Sequence, residues 1–376
     1  MEPVTHFLTG ACIGRAGLNR KTACATLVGT LAAEAADLDI VWGLRGQVDE
    51  LKHHRGITHT FIAAPVVALI VVLFAALIHR WQEQRRTRRR LAASLDPGAP
   101  VPLRLQPTRI HWGWLYLTAL IAALSHILLD WTTTYGVRPF FPFNPRWYEG
   151  GFIFIAEPVL WVLLIGAIIV PWLLGLVAGE IGARRKPFRG RGWAIFALAA
   201  MVALWAWRWS EQAHALALVQ NQQVASAPVK RAAAEPYPVD PFRWHVILET
   251  PDFYQTAEVN TRTSEVDSDP QRDVRFKPPF TPAVEAAQRT YLGQVYLDWA
   301  SWAVVTDLGQ DPVQALEPPQ LSPNRHWTTV QFVDLRFDYS FLGTARSVGR
   351  PPLSGDVYIV DGREDAGEIF NGQVQH

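Results

Sequence analysis

The run Ser125-His126-Ile127-Leu128-Leu129-Asp130 closes an apolar stretch that begins near residue 112. About 20 predominantly apolar residues suffice to cross a bilayer as a helix, so the stretch 112–130 reads as a span with its polar groups at one end. On that helix His126 and Asp130 stand at i and i+4 and share a face. A second string, His54-Arg55-Gly56-Ile57-Thr58-His59, precedes another apolar run, 60–79. Ionisable side chains near hydrocarbon are costly and usually need a partner, a water-filled cavity or a metal.

Two further runs, 152–178 and 193–209, are long and apolar enough to cross. The third holds Glu157-Pro158 and Pro171, and the fourth carries Trp193, Trp205, Trp207 and Trp209, a residue type that concentrates at membrane interfaces. Ahead of them lie segments 5–18 and 22–36, built from Gly, Ala, Thr and Leu. At about 20 Å of helical rise the first is too short to be an ordinary span, so the pair is expected as a tightly packed or re-entrant hairpin. Small residues permit such close helix approach. The N-terminus shows no charged region followed by a continuous apolar core, so a cleaved signal peptide is not expected.

The formal net charge is +1, but it is unevenly spread. Residues 1–210 carry 22 Lys+Arg against 12 Asp+Glu (+10), and residues 211–376 carry 13 against 22 (−9). The positive charge sits in two stretches between apolar runs, 80–110 and 180–192, which argues against a nucleic-acid surface. By the positive-inside rule both stretches are cytoplasmic. The remaining order then places His54, His59, Asp130 and everything after about residue 210 outside. The turn Arg15 to Lys21 points inward, so His6, Asp37 and Asp39 fall on that same outer side. Residues 211–237 read as a helix extension and linker. Residues 238–376 read as a soluble α+β domain, with strands at Arg243–Thr250, Tyr254–Val266, Thr328–Ser340 and Val357–Val360 and helical periodicity over Pro282–Trp302. The expected fold is therefore an α-helical polytopic membrane bundle over 1–210, with four long spans and a short N-terminal helical hairpin, followed by a small extracytoplasmic α+β domain.

Cys12 and Cys24 are too few for a thiolate metal site or a disulfide framework. His245 and His326 stand alone in strand-like contexts and are expected to be structural, while His79 and His111 lie at the opposite, cytoplasmic end. The convergent set is His6, Asp37, His54, His59, His126 and Asp130 as metal ligands, with His53 an alternative to His54. Thr5 after Pro3 suits a helix start, Thr58 suits an N-cap for the next span, and Gly56 permits a tight turn. Asp39, two residues from Asp37, is expected to support the ligands or act as a base. Glu157, inside the third span, is a ligand or a base. Arg55 either neutralises an anionic substrate or snorkels at the interface. Imidazole and carboxylate donors without thiolates suit one or two divalent ions, zinc first, with manganese, iron or magnesium also compatible.

At these residues the sequence resembles the LexA-regulated, inner-membrane-associated metal-dependent hydrolase family of bacteria. The resemblance rests on an early His (His6), an Asp-x-Asp (Asp37, Asp39), the string His54 to Thr60, and the helical His126-x-x-x-Asp130 with Tyr135-Gly136 beyond it. Pro139-Phe140 and Pro142-Phe143 match the family's Pro-Phe pairs, and Glu157-Pro158 replaces its usual Asp-Pro. It covers about residues 1–180. It implies a multi-pass protein of the bacterial inner membrane that hydrolyses with a bound metal, and the expected substrate is a phosphoester of a membrane lipid or lipid-linked molecule. The alternative is a non-enzymatic, metal-stabilised membrane scaffold whose acidic C-terminal domain binds a protein partner. Transport is disfavoured, because a pathway places ionisable groups near the midplane and these cluster on one side.

Overall fold

In a computed structural model, residues 1–93, 109–180, 190–313, 315–338 and 350–375 are described. The basic stretches 94–108 and 181–189, part of the orientation argument, lie outside them. The chain divides into two compact units. One comprises Met1–Leu38 and Arg55–Trp207, the other Asp39–His54 and Arg208–His376. The second unit therefore includes a short N-terminal insert that the sequence reading had assigned to the bundle.

Within the first unit, α1 (Pro3–Arg15) starts at Pro3, where Glu2 accepts a hydrogen bond from the Thr5 amide at 3.1 Å. Glu2 rather than Thr5 is thus the cap, but His6 still falls in the first turn. Helix α2 (Ala25–Glu34) is followed by a 3-10 segment, Ala35–Arg45. A Cβ on Gly10 would stand 2.7 Å from Ala33 Cβ, and one on Gly14 2.8 Å from the Ala25 carbonyl oxygen, so α1 and α2 meet backbone to backbone. After α3 (Gln47–His53) come the long helices α4 (Ala64–Ala93), α5 (Trp112–Trp131), α6 (Pro158–Glu180) and α7 (Arg191–Asn221). All four are long and apolar enough to cross a membrane. Small residues pack where α1, α2, α4 and α5 meet: Val28, Ala32, Ala68, Ala75, Leu115, Ala119 and Ala122 are buried together. Outward residues such as Val66, Ile70, Val162 and Trp172 remain exposed and apolar, as lipid-facing positions require.

Two local expectations change. Helix α4 begins at Ala64, not near His59, and continues to Ala93, so the first basic stretch opens as helix. Thr58 does not cap it. Ile57–His59 is a separate 3-10 turn, and Thr58 Oγ1 lies 3.0 Å from His59 Nδ1. The left-handed residue of that turn is Arg55 (φ 52°), not Gly56.

In the second unit, β1 (Arg231–Pro236), β2 (Arg243–Glu249), β3 (Phe253–Asn260) and β4 (Glu265–Asp267) form one antiparallel sheet, with β5 (Val274–Phe276) also paired to β3. Strand β1 lies in the segment read as linker. Ala-rich and Pro-bounded, it lacks an alternating signal, and its register comes from pairing with β2. The expected strand Tyr254–Val266 is two strands around a turn with Ser264 at φ 56°. The expected helix Pro282–Trp302 is α8 (Pro282–Arg289) and α9 (Tyr291–Trp299), split where Thr290 caps the second by accepting from the Gly293 amide. The other sheet has the order β10-β9-β8-β7-β6, from β6 (Ala303–Asp307), β7 (Trp327–Asp334), β8 (Gly355–Val360), β9 (Glu364–Phe370) and β10 (Gln373–Val374). Ile247, Tyr254, Trp302, Val304 and Leu335 share a core.

His245 on β2 is 4 % exposed. Burial pushes its pKa down to about 4, against the opposing pull of Glu258. The unfolded imidazole titrates near 6.5, so between these values the unfolded chain binds a proton that the folded one refuses. The associated stability is fully present above about 6.5 and is lost as pH falls towards 4, by about 3 kcal/mol in all. Urea unfolding followed by tryptophan fluorescence should show this loss in the wild type and a flatter profile in His245→Gln. Identical pH dependence in the two would remove His245 as its source.

Candidate metal centre

Helix α5 carries the centre of the cluster. His126 and Asp130 are fully buried, with His126 Nε2 3.3 Å from Asp130 Oδ2. The other nitrogen of His126, Nδ1, lies 2.6 Å from the Ala33 carbonyl oxygen at the end of α2. A carbonyl only accepts, so Nδ1 carries the proton, and in the neutral ring the Nε2 lone pair faces the cluster. Such a bond to the remote nitrogen is the usual means of orienting a metal-binding imidazole.

Three further elements converge on α5. His6 on α1 stacks on His126 with ring centroids 3.8 Å apart, and its Nε2 lies 3.4 Å from Asp130 Oδ1. His59, from the 3-10 turn before α4, places Nε2 3.4 Å from Asp130 Oδ2 and 3.2 Å from Asp37 Oδ1. Asp37, just beyond α2, also lies 3.4 Å from His126 Nε2. One ligand atom from each of Asp37, His59, His126 and Asp130 lies within 4.8 Å of the others.

The donors fit a divalent cation. Both ring nitrogens of His6, His126 Nε2 and Asp130 Oδ2 are buried with no hydrogen-bond partner among the described residues. Orphaned buried polar atoms are costly, and a shared cation is the partner that satisfies the lone pairs among them at once. The set is all nitrogen and oxygen, compatible with zinc, manganese or iron and, less well, magnesium. Asp130 Oδ1 also meets the Arg55 guanidinium at 2.9 Å and the α-amino group of Met1.

Within the first unit His6, Asp37, His59, His126 and Asp130 are thus brought together. His54 and Asp39 belong to the other compact unit, where His54 Nδ1 lies 2.9 Å from Asp39 Oδ1. His53 stacks on Trp42 at 4.1 Å. Arg55 does not snorkel. It is 2 % exposed, donates to the Gly136 carbonyl at 2.8 Å and to Thr133 Oγ1 at 3.3 Å, and lies over the Tyr135 ring. It therefore orients Asp130 and the Tyr135-Gly136 turn. Glu157 is buried at the start of α6, where it accepts from the Val159 amide at 3.4 Å, and it is not among the grouped ligand atoms. Glu34, absent from the expected set, ends α2 one turn before Asp37. Its signal in the sequence is a carboxylate in an otherwise apolar, small-residue helix.

A model of the YdjM inner membrane protein family matches residues 1–215, which include His6, Asp37, His59, His126 and Asp130. The chain belongs to that family. This is the LexA-regulated family to which the motifs pointed, and its name together with the four apolar helices identifies an inner-membrane protein. The uncharacterized protein YfhP of Bacillus subtilis (strain 168) is 25% identical over 183 residues, 46% of this chain and 47% of that protein. The chain thus covers about half the length of this curated relative. No solved structure matches. The family match takes in the four apolar helices up to the last turns of α7 and stops at residue 215, before β1.

Proposed function

We propose that this YdjM-family protein is a membrane-bound, metal-dependent hydrolase acting on a phosphoester of a lipid or lipid-linked substrate. Its site opens at the outer face of the cytoplasmic membrane, and the acidic domain lies on that side. The observation that carries the reading is the set of buried atoms without a hydrogen bond among the described residues, on His6, His126 (Nε2) and Asp130 (Oδ2), closed by His59 and Asp37. These five residues would hold one or two divalent ions, zinc foremost. Such an ion acidifies water and polarises a phosphoryl oxygen. The chain's own contribution is positional: Ala33 sets the tautomer of His126, and Arg55 holds the Asp130 carboxylate. The orientation rests on the basic stretches 80–110 and 180–192.

Detergent-purified protein should contain one or two metal ions per chain, lost in His126→Ala. It should hydrolyse a phosphodiester such as bis(p-nitrophenyl) phosphate, and phospholipid presented in vesicles. Cysteines placed after residue 240 should react with an impermeant reagent from outside the cytoplasmic membrane. A metal-free wild type would overturn the centre. A loaded protein without phosphoester turnover would favour the scaffold reading, and labelling only from the cytoplasm would reverse the orientation.

A further inference from the structure

We propose that Glu34 is the proton-accepting catalytic residue of this site, standing beside the metal ligands without being one of them. The inference rests on the hydrolytic reading and assigns a role that the metal ligands themselves cannot fill, since a donor pair bound to a cation is unavailable to a proton.

The placement follows from the backbone. The Ala33 carbonyl is tied to His126 Nδ1 at 2.6 Å, which fixes the last turn of α2 against the cluster, and Glu34 is the next residue. The chain then tightens into the 3-10 segment Ala35–Arg45. At three residues per turn, positions three apart eclipse one another, so Glu34 and Asp37 stand on one side.

The environment distinguishes Glu34 from a structural carboxylate. Glu2, at the N-terminus of α1, is fully engaged: it accepts from the Thr5 amide at 3.1 Å and from Trp161 Nε1 at 2.7 Å. Glu34 Oε1 is buried and has no hydrogen-bond partner among the described residues, while the residue as a whole keeps partial exposure. A carboxyl whose buried oxygen has no protein donor, one turn before Asp37, is left to accept a proton from a water held at the cation site. The charged groups facing it are Asp37 from the 3-10 segment, His126 from α5 and Glu2 from α1, with the Phe7 amide of α1 also directed at it. Burial first and Asp37 second push its pKa up to about 7, with His126 opposing. A cation bound by Asp37 and His126 favours the ionised carboxylate, which is the acceptor form.

The step balances. As a water oxygen bonds to phosphorus, the ester P–O bond breaks, one water proton passes to the Glu34 carboxylate, and the same proton is returned to the departing alkoxide. One ester and one water give an alcohol and a phosphate product, with Glu34 regenerated.

The test compares wild type, Glu34→Gln and Glu34→Asp as full-length protein in detergent. Glu34→Gln is expected to bind the wild-type complement of zinc while kcat on bis(p-nitrophenyl) phosphate falls about 10²- to 10⁴-fold and KM stays close to wild type. The acid limb of its pH profile should disappear, and Glu34→Asp should recover part of the rate. Independently of turnover, zinc titration at pH 6 should release about one proton fewer from Glu34→Gln than from wild type. Equal proton release, or unchanged kcat and pH profile with zinc intact, would overturn the assignment, and zinc loss in Glu34→Gln would make Glu34 a ligand instead. A zinc-loaded wild type that turns over no phosphoester removes the hydrolytic reading and the base with it, an outcome read from the wild type alone.

Discussion

Asp130→Ala is expected to lose the bound metal and to destabilise the bundle by about 3–5 kcal/mol, the cost of leaving one partner of a buried ion pair uncompensated. Its carboxylate is fully buried and lies within 3.4 Å of nitrogens on His6, His59 and His126, and 2.9 Å from Arg55. Arg55, at 2 % exposure, would keep its charge without its counter-ion. The two effects separate in a double variant. Asp130→Leu with Arg55→Met removes both charges and should regain much of the stability, because an apolar pair of similar volume often replaces a buried ion pair at little cost. It should not regain metal. Metal content and unfolding in detergent measure the two independently. A single Asp130→Ala variant that keeps both its metal and its stability would show that the cluster is not the centre.

Gly10→Val should be at least as damaging by a different route. A Cβ at position 10 meets the Gly29 carbonyl and stands 2.7 Å from Ala33 Cβ. Backbone atoms cannot swing aside as a side chain would, so α1 and α2 must separate. The expected cost is about 3 kcal/mol or more, the upper end of core overpacking. Since α1 carries His6 and α2 leads into Asp37, separation should also withdraw two ligands and release metal. Gly166→Ala is the control. Among the described residues nothing lies within 4 Å of a Cβ there, and removing a glycine from the interior of α6 should stabilise it by up to about 1 kcal/mol. If thermal unfolding ranks these two substitutions the other way, close α1–α2 packing is not what holds the centre together.

The sequence by itself determined the four long helices, because hydropathy is a sum over neighbours along the chain and survives any tertiary arrangement. It also determined that His126 and Asp130 act together, since i and i+4 share a face on any helix. The grouping of His6, Asp37 and His59 with them was legible as motifs at helix ends, although the distances were not. The tertiary structure decided the rest. His59 reaches Asp130 after a left-handed Arg55 turns the chain, a conformation held by bonds to Asp130 and Gly136 more than 70 positions away. Arg55 is a buried support for the same reason. Glu157 accepts from the Val159 amide at the start of α6, while Glu34, inconspicuous in an alanine-rich helix, shows a buried oxygen without a partner among the described residues only in the folded chain. Strand β1 shows the same limit in the soluble unit: its Ala-rich sequence has little intrinsic strand character, and pairing with β2 supplies what local propensity lacks. Periodicity and hydropathy are local and can be read from the chain alone. Which polar atom meets which is fixed by contacts between distant segments, and no local pattern along the chain carries that information.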